Sequence, residues 1–567
     1  MSLRADVPAC SGTVYVQLVR LNGVGLNRGK GRLELTWANK DMRLLAHDDI
    51  SYEWVDPADW RVAEVRLLHE VGLVGDPPRI GNWLIQGDAL HALTALSSIP
   101  SVKGKILGKV KLCYIDPPFN TGQTFQHFDD AVEHSVWLTM LRDRLVQIHT
   151  LLSQDGSVWV HLDDAEVHRA RCVLDEVFGP ENFVATITWE KSDSPRNSAR
   201  FLSVDCDYIH VYAKDAERWR PNRLERTAEV NEKYRNPDAD PRGPWFGDNL
   251  RANKPYSLGL YEVTGPTGKS FSAPPGKYWR ISKDKFDEMN ADGRIWWGNK
   301  GDAFPTMKRF LSDVGLMVPR TLWSHAEVGS NRTSSNEIKR LFPTGAPFAT
   351  PKPEGLMERI IQIASNKADI VLDCFAGSGT TAAVAQKMGR RWITVELIVE
   401  NMNRFVRPRL DMVVYGKDSG GITSSVAWQG GSGYCEFVVG PSMFESVEST
   451  VVLADWATGG ELAEAVAAQL GYALELEAPF AGRKGRSRLA VLDGMLTVGV
   501  GDHLLARLGE KETLMVVAQA LEPGVEEHVR LKRPGSRARK VPRDLAHMGR
   551  RPSRLVRLDD ANDEVAL

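Results

Sequence analysis

The sequence predicts an α/β protein built on a mostly parallel sheet whose strands come from two separated stretches of chain. Three observations predict it. Strand-like and helix-like runs alternate over residues 79–214, and the same alternation returns over residues 346–412. Between them, residues 215–345 change to a mixture rich in Pro, Gly, Lys, Arg and Trp with no sustained periodicity. The pattern reads as one sheet interrupted by an inserted domain. Residues 413–567 mix β-like runs (Glu436–Val439, Arg488–Leu492) with a helical Glu461–Leu470, an α+β domain with no catalytic constellation. Residues 1–78 hold short β-like runs such as Thr13–Val19 and the turn-rich Leu26–Arg32, to which no chemistry is assigned.

In chain order, Val110–Ile115 is a buried strand that stops at Pro117 and Pro118, because proline donates no ladder hydrogen bond and holds the backbone extended. Asp116 therefore stands at the carboxyl end of a strand, where open α/β sheets bind ligands. The segment suits chemistry on an exocyclic amine of a base, a poor nucleophile whose lone pair is delocalised into the ring. The Asp116 carboxylate and the Pro117 carbonyl are placed to accept its two N–H groups and draw the nitrogen toward tetrahedral geometry. Phe119 offers a ring to stack on a base rotated out of the duplex. A plain strand-ending turn is the competing reading.

Helical stretches follow at Val136–Leu152 and Ala165–Phe178. Ile370–Leu372 is another short buried strand, after which the chain turns through Gly377 and Gly379 into a helix over Thr380–Lys387. Glycine there permits a tight turn and close approach of the backbone to a ligand. The next strand, Arg391–Val395, ends at Glu396, at a spacing suited to gripping a ribose. Gly377, Gly379 and Ala382 also satisfy a dinucleotide fingerprint, so a nicotinamide-dependent oxidoreductase competes from this segment alone.

Together, Asp116-Pro117-Pro118-Phe119 and Phe375-Ala376-Gly377-Ser378-Gly379-Thr380 resemble the two signature motifs of amino-methyltransferases that modify DNA bases. The order of catalytic motif, recognition region and cofactor motif is that family's β arrangement. Asn82–Leu90, Asn120-Thr121-Gly122, Arg142–Leu145, Asp155–Asp164, Phe178–Phe183, Asp207–Lys214 and Thr350–Glu354 extend the similarity to the modification subunits of type III restriction systems, over about residues 80–412.

The resemblance implies a Rossmann-like methyltransferase sheet, S-adenosylmethionine as cofactor and Asp116, Pro117, Pro118 and Phe119 as the catalytic tetrapeptide. It also implies that Phe375, Gly377 and Gly379 line the methionine part, with Asp373 in the same loop and Glu396 on the ribose hydroxyls. Asp88 falls near the adenine, and Thr350 and Lys352 beside the methionine carboxylate. A tyrosine is commoner at position 119, but stacking needs only the ring. The acid at 116, where cytosine-N4 enzymes usually carry serine, favours adenine N6; cytosine N4 and a non-catalytic DNA-binding scaffold stay open as alternatives. The partners implied are double-stranded DNA, a helicase-nuclease restriction subunit and a second copy in a homodimer. Residues 215–345 are then the target recognition domain, with Arg251, Lys254, Lys277, Arg280, Lys300, Lys308, Arg309 and Arg320 as candidates for phosphates and guanine edges and its tryptophans read chiefly as core.

Composition agrees. Of 567 residues 43% are hydrophobic and 25% charged, as in globular protein. No apolar stretch reaches a membrane span and no signal-peptide core opens the chain, so a cytoplasmic protein is expected. Six cysteines without a Cys-x-x-Cys pair suggest neither zinc nor a disulfide framework, and methyl transfer from a sulfonium needs no metal, so none is expected at His161, Asp163, Asp164, Glu166 and His168. A net charge of −2 hides a local excess: eleven Lys or Arg against the single acid Asp544 between Arg530 and Arg557, either a flexible phosphate-tracking tail or a solvated terminus.

Overall fold

The computed structural model describes residues 35–46, 52–118, 124–125, 128–129, 134–195, 197–448 and 450–546. Its centre is a ten-stranded sheet built from β1 (Leu68–Gly75), β2 (Trp83–Gln86), β3 (Val110–Ile115), β4 (Leu152–Leu162), β5 (Phe183–Glu190), β6 (Cys206–Ala213), β7 (Leu322–Trp323), β8 (Ile370–Asp373), β9 (Arg391–Glu396) and β10 (Gly433–Val439). The spatial order is β7-β5-β6-β4-β3-β8-β9-β2-β10-β1. From β4 to β10 every neighbouring pair is parallel, while β6 and β1 join antiparallel. The central strands are apolar along nearly their whole length, as strands covered on both faces must be.

One face, carrying Leu84, Leu112, Tyr114, Trp159 and Val371, packs against α4 (Glu354–Ala364) and α5 (Thr380–Lys387), numbered after α1 (Ala89–Ser98), α2 (His134–Leu151) and α3 (Val167–Phe178). Helices α1 to α3 pack side by side and take no part in that cluster; they cover the other face. All eight residues of α5 are buried, which its run of Thr, Ala and Val allows without crowding the sheet.

Two differences from the sequence reading concern boundaries. The breaks placed at residues 78 and 412 cut through the sheet, since β1 precedes the first and β10 follows the second. An edge pair wet on one side alternates polar and apolar residues and does not look like the buried centre; Val71 and Leu73 are exposed. Likewise β7, inside the expected 215–345 domain, pairs parallel with β5. The remainder of that insertion has its own aromatic core of Trp279, Phe286, Trp297 and Leu250 with Tyr261, Phe271 and Phe304 against it, Trp279 stacking on Phe304 at 5.2 Å. Its tryptophans are chiefly core: Trp219, Trp245, Trp279 and Trp297 are buried, and Trp296 is half-buried. Lys308 is not an available phosphate contact: it is buried and paired with Asp238 and Asp240.

A five-stranded sheet follows, in sequential order β11 (Ala473–Glu477), β12 (Phe480–Lys484), β13 (Ser487–Leu496), β14 (Thr513–Leu521) and β15 (Arg537–Lys540). The basic stretch is therefore no flexible tail as far as Ala546: it forms a helix over Val525–Lys532 and β15, and buries Val529 and Ala538. Its residues 547–557 lie outside the described residues, as do the runs at 13–19 and 26–32. Among the described residues no helix is long and apolar enough to cross a membrane.

Candidate active site

Because β4, β3, β8, β9 and β2 run in one direction, their carboxyl ends share one edge, and each delivers an acid there: Asp163, Asp116, Asp373, Glu396 and Asp88. A cavity of about 610 Å³ opens along this edge, within the size range of small-molecule pockets. It is lined by Asp88, Asp116, Pro117, Pro118, Thr350, Lys352, Phe375, Gly377 and Glu396 of the residues picked out from sequence. Phe119 lies outside the described residues. Asp373 and Gly379 stand just behind the lining. Gly379 opens α5 at φ +74°, where a Cβ would sit 3.2 Å from Val406; Asp373 accepts from the Phe375 N–H at 3.0 Å.

At the catalytic strand, the Lys352 ammonium donates to Asp116 Oδ2, while the buried Oδ1 has no hydrogen-bond partner among the described residues. The Pro118 carbonyl accepts from the Trp137 indole at 2.6 Å, fixing the turn. Lys352 thus faces the carboxylate, rather than only the methionine carboxylate position expected for it. Beside this pair, the Tyr114 hydroxyl meets His161 Nδ1 at 2.9 Å, His161 Nε2 lies 3.3 Å from Asp207 Oδ2, and Lys191 donates to Asp207 Oδ1 at 2.7 Å. Burial works to raise Asp207, yet the hydrogen bond from His161 and the charges of His161, Lys191 and Lys352 hold it at about 2. Burial pushes His161 below its usual value, helped by the Lys352 charge.

The glycine-loop end is different. Glu396 accepts from the Gly377 N–H at 2.8 Å and the Ile398 N–H at 2.9 Å. Burial nevertheless pushes it up to about 7, and the same cause pushes Asp373 to about 6. Gly377 holds φ +55°, and a Cβ there would come 3.3 Å from Phe348 Cζ, so the loop backbone borders the cavity closely. Phe348, Leu397, Ile398 and Phe405 add an apolar wall. Further along, Asp88 caps α1 through the Leu90 N–H at 2.6 Å and pairs with Arg144 at 3.2 Å. Burial opposes its ionisation, but Arg144 and His91 keep it below the usual carboxylate range.

Behind the loop, a buried ion cluster joins α4 to α5. Lys387 lies 2.8 Å from Glu354 and 2.6 Å from Asp418, and Arg409 lies 2.8 Å from Glu354 and donates to Thr380 Oγ1 at 2.7 Å. Sequence reasoning gave no role to Arg144, Lys191, Asp207 or Glu354. The available signal was an ionisable residue at a position facing the core: Arg144 between Leu141, Leu145 and Ile148, and Asp207 opening an apolar strand. Within the His161–His168 segment, Glu166 bonds His134 and lies 3.3 Å from Arg169, and Asp163 accepts from the Ala165 N–H.

A family model described as DNA methylase matches residues 110–406, from β3 through the loop, α5 and β9. The chain is 52% identical over 331 residues to the type II methyltransferase M1.MboII of Moraxella bovis, covering 58% of this chain and all of that protein. It is 30% identical over 324 residues to the type II methyltransferase M.EcaI of Enterobacter cloacae, covering 56% and 66%. To the type III restriction-modification enzyme StyLTI Mod subunit of Salmonella typhimurium it is 28% identical over 334 residues, covering 53% and 49%. It spans about half the length of the Mod subunits it matches. With both motifs inside the match, the nicotinamide reading falls away, and the chain belongs to the DNA methylase family.

Proposed function

We propose that the chain is an S-adenosylmethionine-dependent methyltransferase that acts on N6 of an adenine rotated out of double-stranded DNA. The observation that carries the proposal is the meeting, in one cavity, of Asp116, whose buried Oδ1 has no hydrogen-bond partner among the described residues, with Gly377 of the glycine loop and Glu396. The Oδ1 is an acceptor with nothing to accept, a costly state unless a ligand N–H arrives. Asp116 Oδ1 and the Pro117 carbonyl take the two N–H groups of the target amine, and Lys352 keeps the carboxylate oriented. Phe119 stacks on the flipped base, as the family motif implies.

The residues fit S-adenosylmethionine. The Gly377 backbone leaves room that a side chain would fill, Phe375 and Phe348 give apolar contact, and Glu396 has acceptor capacity for ribose hydroxyls. We assign Thr350 and Lys352 to the cofactor carboxylate and Asp88 to the adenine side, all three being lining residues of the cavity, and Asp373 and Gly379 to support of the loop. When bound, the cofactor supplies an electrophilic methyl group. The protein's share is alignment of the amine, which converts an encounter into a near-attack arrangement. The likeness to the StyLTI Mod subunit, a type III restriction-modification enzyme, favours a place in a restriction-modification system. A helicase-nuclease restriction subunit and a second copy of this chain are the proposed partners, with the cytoplasm as the site of action.

The test is expression in a bacterial host free of DNA methylation, followed by sequencing that reports modified bases. N6-methyladenine at one recurrent motif is expected. N4-methylcytosine there would move the reading to the other amine, and unmodified DNA from a chain that binds no S-adenosylmethionine would overturn it.

A further inference from the structure

We infer that Phe201 and Leu202 form a wedge that enters the base stack of the duplex and fills the space left by the flipped base, an inference that rests on the methyltransferase reading above. These are the two most exposed large apolar side chains among the described residues, at 82% and 86%. Among the described residues no hydrophobic cluster includes them, and side by side in water each forgoes burial worth about 2 kcal/mol.

Their position supplies the occupant. Strand β5 ends, and β6 begins, at the edge where β4 and β3 deliver Asp163 and Asp116, because β6 lies antiparallel between β5 and β4. The loop joining them is pinned at its base, Lys191 and Ser192 donating to the Asp205 carbonyl at 2.8 and 3.3 Å. Lys191 and Asp207 on either side of that base line the catalytic cavity. Phe201 is four residues from Asp205, an extended reach of about 14 Å, enough to carry a ring through a groove about 8 Å deep.

The flanks fit a polyanion. Arg200 lies over the Phe201 ring at 5.0 Å. Arg332, 65% exposed, holds the loop through Asp193 at 3.1 Å and Ser194 at 3.3 Å, from a helix whose Asn331, Ser334 and Ser335 also line the cavity. An apolar pair beside the Arg200 guanidinium, on a loop rooted at the pocket that receives the base, is the arrangement of an intercalating side chain: it unstacks a step while a neighbouring cation holds a phosphate.

The experiment uses the full chain and two duplexes carrying the motif read from genomic DNA, one fully paired and one with the target adenine opposite an abasic site, where extrusion costs less. Wild type, Phe201→Ala and Phe201→Tyr are compared by kcat/KM, and flipping is read from 2-aminopurine fluorescence at the target position. The wedge predicts that Phe201→Ala loses about tenfold or more on the paired duplex, with weaker 2-aminopurine signal, and less than about threefold on the abasic duplex. Phe201→Tyr, which keeps the ring, stays near wild type on both. Equal loss by Phe201→Ala on the two duplexes, or none on the paired one, overturns the wedge while leaving the methyltransferase standing. A wild-type chain that marks neither duplex sinks the underlying reading and the wedge with it.

Discussion

The two ends of the crevice neutralise their buried acids in different ways. At the catalytic end Asp116 and Asp207 each have a side-chain cation, Lys352 and Lys191. At the glycine-loop end Asp373 and Glu396 form no ion pair among the described residues; backbone N–H groups of Phe375, Gly377 and Ile398 hold them, and burial pushes them to about 6 and about 7. One strand further on, Asp88 is paired again, with Arg144. The catalytic end is electrostatically complete before any ligand arrives, save for one open oxygen. The loop end pairs its two acids with no cation among the described residues, and burial favours their neutral forms. A ligand bringing a cation or hydroxyl donors is favoured there, and a neutral amine is favoured at the other end, which is the division of labour the proposed reaction requires.

The contrast breaks most violently where the frame itself is cut. Lys387 is fully buried and holds both Glu354 and Asp418. Lys387→Met leaves Asp418 an uncompensated buried charge, and breaking such a pair costs about 3–5 kcal/mol. Denaturant unfolding should show that loss, with S-adenosylmethionine binding gone as α5 loosens; a variant as stable as wild type would mean the cluster does not hold the loop. At the other end, Asp116→Ala should lower methyl transfer by about a hundredfold or more while leaving calorimetric binding of S-adenosylmethionine within a few-fold, since only amine alignment is lost. Retained turnover would remove Asp116 from the chemistry.

Which parts of this were legible in the sequence follows from where each interaction closes. Val110–Ile115, Ile370–Asp373 and Thr380–Lys387 lie within a residue of their expected bounds, because full burial writes an uninterrupted apolar run and Pro or Gly punctuates its end. Strands β1 and β10 escaped, since an edge pair with Val71 and Leu73 in water carries no such run. The ion pairs were illegible for another reason. Lys352 and Asp116 are 236 residues apart and Arg144 and Asp88 are 56 apart, so their partners are set by strand order, which periodicity does not report.

The unpaired acids at the loop end give a pH signature that sharpens the comparison. Glu396 titrates near 7 in the folded chain and in the ordinary glutamate range when unfolded. Between those values the folded state binds more protons, so its contribution to stability is full below the unfolded value and is lost as pH rises toward 7. Glu396→Gln carries no such titration. Comparing urea unfolding at pH 5 and pH 8, the variant should gain on the order of 2 kcal/mol relative to wild type on going to the higher pH. Differences between the two proteins cancel the opposing titration of buried His161 and His149, which burial pushes down. Parallel stabilities across the range would show that Glu396 is already neutralised and that the loop end resembles the catalytic end after all.

The smallest effect separates backbone strain from ligand contact. Gly377 and Gly108 both hold left-handed conformations, at φ +55° and φ +68°, but a Cβ at Gly377 would meet Phe348 at 3.3 Å whereas one at Gly108 would meet nothing within 4 Å. Alanine at either position should cost about 1 kcal/mol of stability from the conformation alone. Only Gly377→Ala should also weaken S-adenosylmethionine, by about threefold to tenfold on top of that cost, because only there does the new methyl group stand between the loop backbone and the cavity wall. Calorimetric titration of both variants reads the difference. Equal affinities would mean that the loop approaches no ligand at Gly377 and that its glycine serves the turn, leaving Glu396 and the apolar wall to hold the cofactor.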